Sequence, residues 1–363
     1  MDSQPPMQPS AMPVLSVIVP VRNDPGHLRL CLAAIKQSQY PHYELIVVDD
    51  ASTDATPEVA QELGAIVLKM DQQSGPGLAR NRGVTAARGT YLMFVDADVC
   101  VHPQTLGNVV AAFGRDPGID ALFGSYDLEP GEKDFLSQYK NLTHRFVHQQ
   151  SAGKRASTFW AGCGAIKKTV FEEVGGFSSE YTRPCIEDIE LGARMYRAGK
   201  HIAIIGDVEA KHLKKWTFSG IIKSDVKDRG IPWTRLILRK KNLPNDLNLT
   251  FGQRLAALLS GLLVLALVAM ILRGAGWLML PWEILIPAAA ALALGIVLLN
   301  RRYYAFFTKL KGPWFALRVF PMHVLYYLYS GAALAIGTVS HMMGSSRKST
   351  TPGAQVGRAV QAR

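Results

Sequence analysis

Three apolar stretches, each long enough to cross a bilayer, occupy the last third of this chain and constrain its fold more than any other feature. They cover residues 251–272 (FGQRLAALLSGLLVLALVAMIL), about 277–299 and about 319–343, the last being more polar and aromatic. A hydrocarbon core of about 30 Å needs roughly 20 apolar residues of helix, and all three meet that length. The residues before them read as ordinary globular sequence with enough chain to bury a core. The expected organisation is a tail over 1–13, a globular domain over 14–235 and an interfacial amphipathic segment over 236–254. A membrane region of about three helices over 255–343 and a second tail over 344–363 complete it.

The formal net charge of +11 sits beside the apolar stretches. Arg239, Lys240, Lys241 and Arg254 precede the first, and Arg301, Arg302, Lys309, Lys311 and Arg318 gather between the second and third. That placement fits anionic lipid and the positive-inside rule. No basic stripe interleaved with aromatics is present to stack bases, so nucleic acid is not an expected partner. The expectation is a multi-pass protein of the cytoplasmic membrane with its globular domain in the cytoplasm. Three spans would put the C-terminal tail outside; the tail's Arg347, Lys348, Arg358 and Arg363 oppose this and leave a re-entrant third segment open. Cys31, Cys100, Cys163 and Cys185 are far apart, with no CxxC pair, and read as reduced thiols. The N-terminal MDSQPPMQPSAMP has neither the charged nor the apolar region of a signal peptide.

Between residues 15 and 98 strand and helix patterns alternate. LSVIVPV, YELIVVDD, AIVLKM and TYLMFVDAD read as strands, and His27 to Ser38, Thr56 to Leu63 and Ala79 to Ala87 as helices. Such alternation predicts an α/β fold with a mainly parallel sheet and helices on both faces, whose ligands bind beyond the carboxyl ends of the strands. Acidic and polar residues collect at those ends: Asn23 after the first strand, Asp49-Asp50 after the second, Asp96-Ala97-Asp98 after the fourth. Two carboxylates spaced i, i+2 at a strand end can hold one divalent cation and a ribose together. A DxD alone is expected about once by chance in a chain this long, and then reads as a solvated strand end. Several acids at one crevice are costly unless a cation or donor groups satisfy them, which favours a ligand.

Glu187-Asp188 opens an amphipathic helix marked by Ile189, Leu191 and Met195. The pair can simply complement the helix dipole; facing the crevice, one carboxylate could act as general base. In HLKKW, His212 could ligate a metal and Lys214 and Lys215 could neutralise a diphosphate, or the lysines could snorkel beside Trp216. Gly75-Pro76-Gly77 is not a GxGxxG fingerprint and reads as a loop bounding the site, with Arg80 and Asn81 able to reach donor groups.

The blocks LSVIVPVRN, ELIVVDDASTD, GPGLARNRG, YLMFVDADV, FWAGCGAIKKTVFEEVGGF and CIEDIELGARMYRAG, in this order over Leu15 to Gly199, resemble family 2 glycosyltransferases. The resemblance implies a GT-A fold, a nucleotide-diphosphate sugar donor (a UDP- or GDP-sugar), Mg2+ or Mn2+, and inversion at the anomeric carbon. It places Pro20 and Val21 against the nucleotide, Asp50 on the base, Asp96 near the ribose or sugar, and Asp98 on the metal. Asp188 falls on the catalytic base, and Trp160, Gly162 and Gly164 on the donor and acceptor floor. HLKKW stands where processive synthases carry QxxRW, with His212 for Gln and Lys215 for Arg. The expected activity is therefore single transfer to a lipid-linked or polyprenyl-phosphate acceptor. A processive polysaccharide synthase is the alternative within the class, and a non-catalytic membrane scaffold the alternative outside it.

Overall fold

The computed structural model describes residues 13–240 and 250–348. The tail expected over 1–12, the middle of the interfacial segment at 241–249 and the tail beyond 348 lie outside the described residues.

The first half of the chain alternates strand and helix as its pattern predicts: β1 (Leu15–Val21), α1 (Pro25–Lys36), β2 (Tyr43–Asp49), α2 (Thr56–Glu62), β3 (Ile66–Lys69), α3 (Pro76–Val84), β4 (Tyr91–Val95) and the short β5 (Val99–Val101). Then follow α4 (Thr105–Arg115), β6 (Ala121–Tyr126), α5 (Phe135–Gln150), β7 (Cys163–Lys167), α6 (Lys168–Glu173), α7 (Glu187–Arg197) and β8 (Ile202–His212). All seven residues of β1 are buried, as a β-branched run covered on both faces requires. Asp24 caps α1 by accepting from the His27 amide, and a proline at the helix start fixes the entry.

The strands form one sheet in the order β3-β2-β1-β4-β7-β6-β8-β5. The expected parallel arrangement holds for β3, β2, β1 and β4. Beyond β4 the sheet is mixed: β7 runs antiparallel to both β4 and β6, and β5 antiparallel to β8. Helix α5 runs back beside β6 and β8, where His148 Nδ1 lies 2.9 Å from the Gly124 carbonyl oxygen and the Ala156 amide reaches that of Ile202, and the following residues climb to the end of β4 before β7 starts. Cys163, the first residue of β7, pairs with Val95, the last of β4. This reversal brings the segment Trp160–Gly164 to the carboxyl ends of β1 and β4.

A continuous helical rod comprises α8 (Phe218–Ile222), a π-helical stretch (Lys223–Gly230) and α9 (Ile231–Lys240). After it come α10 (Phe251–Gly274), α11 (Trp282–Leu299), α12 (Arg301–Lys311) and α13 (Pro313–Lys348). Among the described residues, α10, α11 and α13 to Met343 are long and apolar enough to cross a membrane. The basic segment expected between the second and third stretches is itself the helix α12, and α13 begins six residues before the apolar stretch expected from 319. Tyr303, Tyr304 and Phe307 of α12 and Ala316 and Val319 of α13 form one core with Tyr139 and Leu142 of α5. Residues of the globular domain and of the helical region after it thus share a packed cluster.

Candidate active site

Beyond the carboxyl ends of β1 and β4 lies a cavity of about 480 Å³. Asp96, Asp98, Glu187, Asp188 and His212 all line it, although they come from three separate parts of the chain. Arg80 of α3 joins two of these parts: it donates from Nη2 to Asp96 Oδ1 at 2.6 Å and from Nη1 to Glu187 Oε1 at 3.1 Å. Its guanidinium is buried and lies 5.4 Å from the Phe177 ring centre. Burial alone would lower its pKa, but Asp96, Glu187 and Asp188 reverse that and raise it, so the charge is permanent.

Glu187 and Asp188 begin α7 at the crevice, and their environments separate their roles. Both Glu187 oxygens are committed, one to Arg80 and the other to the Cys185 amide at 2.9 Å. Asp188 accepts from the amides of Ile189 at 2.8 Å and Ala161 at 3.3 Å and lines the cavity. Burial, reinforced by the neighbouring Glu187 charge, raises the Asp188 pKa to about 6 despite Arg229 and Arg80. A carboxylate so poised near neutrality suits a general base.

On the opposite wall, His212 Nε2 stands 3.4 Å from Asp98 Oδ2. His212 is buried, stacks on Tyr126 at 4.3 Å, and its Nδ1 lies 2.5 Å from Asn141 Oδ1. With a proton on Nδ1 directed at that oxygen, Nε2 is left to face Asp98: it donates there when the ring is charged, and in the neutral ring it offers the lone pair of a metal-ligating histidine. Burial would raise the Asp98 pKa, but the His212 hydrogen bond and charge, with Lys214 and His27, hold it below the usual carboxylate range. No three His, Cys, Asp or Glu side chains enclose a cation site among the described residues. The pair fits a cation that takes its remaining oxygens from phosphate and water, the habit of Mg2+ in nucleotide sites.

The other expected residues divide into lining and framing groups. Pro20, Val21, Trp160, Lys215 and Trp216 line the cavity. Asp50 is set back: it is buried and accepts the Ser74 and Gly75 amides at 2.7 and 2.9 Å, which fixes the Gly-Pro-Gly loop. Gly75 has φ +88°, and a Cβ there would stand 2.6 Å from the Thr182 carbonyl carbon, so only glycine fits. Asn23 holds the loop after β2 by accepting from the Thr53 amide. Asn81 engages both backbone groups of Phe177 and does not reach the cavity lining. Gly162 and Gly164 act as backbone; a Cβ on Gly164 would strike the Trp160 carbonyl.

Several lining residues were not singled out from the sequence. Lys140, Asn141 and His144 lie along one side of α5 and, with Ser137 and His148, form a polar stripe at helical spacing. That buried polar face opposite an apolar one was the available signal. Arg229 of the π-helical stretch opens into the cavity, and its charge acts on Asp188 more strongly than that of Arg80. Buried polar atoms of Arg80, Asn141, His144 and Trp216 lack hydrogen-bond partners, and all four residues line this cavity. Such a concentration marks a surface built to receive a polar ligand.

Residues 16–175 match the model of glycosyl transferase family 2, and residues 143–215 match one described as the N-terminal domain of galactosyltransferase. The chain is 28% identical over 215 residues to glycosyltransferase AglE of Haloferax volcanii, covering 56% of this chain and 68% of that protein. It is 34% identical over 122 residues to the putative glycosyltransferase EpsH of Bacillus subtilis, covering 32% of this chain and 35% of that protein. In fold it resembles the mannosyltransferase PcManGT from Pyrobaculum calidifontis, solved in complex with GDP-Man and Mn2+. That likeness has a TM-score of 0.61 and 21% identity, over 90% of this chain and 88% of that one. With the GT-A sheet, the acid-lined crevice and these matches in agreement, residues 16–175 form a family 2 glycosyltransferase domain.

Proposed function

We propose that this glycosyltransferase moves a sugar from a nucleoside-diphosphate donor, a UDP- or GDP-sugar, to a lipid-linked or polyprenyl-phosphate acceptor at the inner face of the membrane, with inversion. The observation that carries this reading is the meeting of Asp98, His212 and Asp188 around one cavity. The GDP-Man and Mn2+ held by the Pyrobaculum protein support the donor class and a divalent cation. Asp98 and His212, with Asp96 beside them, are the residues that would hold Mg2+ or Mn2+. When bound, the cation supplies positive charge that offsets the charge developing on the leaving diphosphate.

The chain's own residues supply the rest. Pro20, Val21, Trp160 and Trp216 shape the donor side, while Asn23, Asp50, Asn81, Gly162 and Gly164 frame it. Lys215, exposed on the rim, adds charge beside the diphosphate. Asp188, held by the Ala161 and Ile189 amides, takes the proton from the attacking oxygen, a hydroxyl of a lipid-linked sugar or the P–OH of a singly protonated polyprenyl phosphate, as that oxygen bonds to the anomeric carbon. The bond from that carbon to the diphosphate breaks in the same displacement, and no sugar–enzyme bond is needed. Glu187 keeps Arg80 in place and keeps the Asp188 pKa high. The acceptor class is supported by the basic lining of Lys215, Lys223 and Arg229, the last two on the π-helical stretch that packs against the apolar helix α13.

Full-length protein in liposomes, supplied with labelled UDP- and GDP-sugars and a polyprenyl phosphate, tests the proposal. Label should enter the organic phase with one donor, require Mg2+ or Mn2+, and disappear in Asp188→Asn. Transfer that persists in both EDTA and the variant would overturn it.

A further inference from the structure

The three apolar helices differ in what surrounds them. Helices α10 and α11 pair with each other, and from Val264 to Ala293 the hairpin meets little else that buries it; Trp277 at its tip is 82% exposed. Helix α13 is the least apolar of the three and the most covered by protein. Its covered positions, Ala316, Val319, His323, Tyr327, Ala333 and Gly337, with the half-buried Ser330 between Tyr327 and Ala333, follow one face along the helix.

Around Val324 and Tyr327 the helix meets the hairpin, the Tyr327 hydroxyl donating to Gln253 Oε1 at 2.7 Å where α10 begins and lying 3.2 Å from Asn300 Oδ1 where α11 ends. The rest of what covers that face belongs to, or is anchored on, the catalytic domain. Near the start of α13, Phe315 packs on Phe135 of α5 at 5.0 Å, and the Arg318 guanidinium lies 4.0 Å from the same ring centre. Midway, the Tyr329 hydroxyl donates to Asp225 Oδ2 at 2.6 Å, and Asp225 is itself ion-paired to Lys140 of α5. Farther along, Gly230 leaves room for Ala333, Gly337 for Thr234, and Arg235 donates to Ser340 at 2.9 Å. The rod comprising α8, the π-helical stretch and α9 therefore runs parallel to α13. Its far end is still tied to the catalytic domain, with Arg239 reaching Glu180 at 3.4 Å.

From Phe315 to Ser340 the helix axis advances about 37 Å, longer than a hydrocarbon core of about 30 Å. A crossing helix would carry those contacts, with Asp225, Arg235 and Arg239, through the bilayer interior, where each charge is costly. We propose that α13 does not cross the membrane but lies along its surface beneath the catalytic domain, with its outer face in lipid, and that only α10 and α11 span. The outer face fits that partner. Trp314, Leu317, Ile336, Val339 and Met342 are exposed on it, and the face has no charged side chain from Pro321 to Met343. The polar side, which in an isolated amphipathic helix would meet headgroup water, is covered here by protein. Two spans return the segment after α13 to the side of the catalytic domain, where its basic residues also belong by the positive-inside rule.

Reporter fusions to the full chain read the difference without assuming which side is which. A fluorescent protein that matures only in the cytoplasm and a phosphatase active only outside it are fused in turn before Met1 and after Arg363. An impermeant maleimide separately maps Trp277→Cys in intact cells and in inverted vesicles. The expected result is that both termini report the same side and residue 277 the opposite one. Opposite sides for the two termini would overturn the proposal, as would residue 277 on the side of both termini. Cysteines at Gly331 and Val339, mapped the same way in a chain without fusions, guard against a reporter that disturbs folding. Each should resist the aqueous reagent from the side of residue 277, and labelling of either from that side would equally sink the arrangement.

Discussion

At the scale of single residues, the site rests on one buried guanidinium and one carboxylate poised near neutrality. Arg80 answers Asp96 and Glu187 together, so Arg80→Met strands two acids at once. Removing one partner of a buried ion pair costs about 3–5 kcal/mol, and a drop in apparent Tm of the purified protein should register it. Arg80→Lys should recover only part, because an ammonium cannot reach both carboxylates with parallel donors. Asp188 sets the pH dependence. Its pKa, raised to about 6, means that it takes up a proton well before an ordinary carboxylate as the medium is acidified. Donor-saturated transfer should therefore fall about tenfold for each unit below pH 6, and the limb should be absent from the residual rate of Asp188→Asn. That variant should itself be roughly 100- to 10,000-fold slower while still binding the nucleoside diphosphate. Stability moves the other way. The folded chain holds this proton more tightly than the unfolded one, so the contribution of Asp188 is fully present below the ordinary carboxylate range and is lost as pH rises through about 6. Asp98, held below the usual range, stays ionised across that window. The acids of this site were legible because they end strands or start a helix, which sequence pattern locates. Asn141 was not, since its role beside His212 depends on a contact across 71 positions that no local pattern encodes.

At the scale of elements, what could be read from the chain follows the reach of the periodicity. Period-two and period-3.6 patterns located β1 to β4 and the helices between them, and the apolar stretches located α10 and α11. The reversal of β7 was out of reach, because it is decided by the irregular residues after α5, which climb from the Ile202 level to the end of β4 and carry no periodic pattern. Helix α5 is doubly amphipathic in effect: Tyr139 and Leu142 face α12 and α13, while Asn141 and His144 face the crevice. The π-helical stretch was equally hidden. Among its residues the hydrogen bonds close over five positions and the helix is wider than usual, a form that persists mostly at functional sites and needs outside support. That support is Asp225, held by Lys140 at 2.5 and 2.7 Å and by Tyr329 at 2.6 Å. Tyr329→Phe removes one of these bonds and should cost about 1 kcal/mol of stability. Asp225→Asn, which uncouples Lys140 as well, should cost more. If the stretch positions Arg229 against Asp188, both variants should also shift the acid limb of the pH–rate profile upward. A change in Tm with an unmoved limb would confine the stretch to a structural role.

At the scale of the whole molecule, the catalytic domain and the C-terminal helices are joined by a shared core. Phe307 of α12 is fully buried against Tyr139 of α5 and Phe315 of α13, and the hydroxyls of Thr143 and Tyr303 meet at 2.7 Å across the same junction. Cutting the chain after Lys240 would expose the apolar face of α5, comprising Phe135, Tyr139, Leu142 and Phe146, and would leave Asp225 without Tyr329. A contiguous apolar face of that kind on a soluble domain promotes association. The fragment 1–240 should therefore elute as aggregate in size-exclusion chromatography, and replacing Leu142 and Phe146 by glutamine should shift it toward monomer. In the intact chain, Phe307→Ala should cost about 3–5 kcal/mol by leaving a cavity at the junction. Its damage should appear in transfer to the proposed lipid acceptor as well as in stability, because the junction fixes the crevice relative to the apolar helices. A soluble, monomeric, unmodified fragment 1–240 with full nucleotide affinity would show instead that the helices serve only as an anchor, and that the crevice is complete without them.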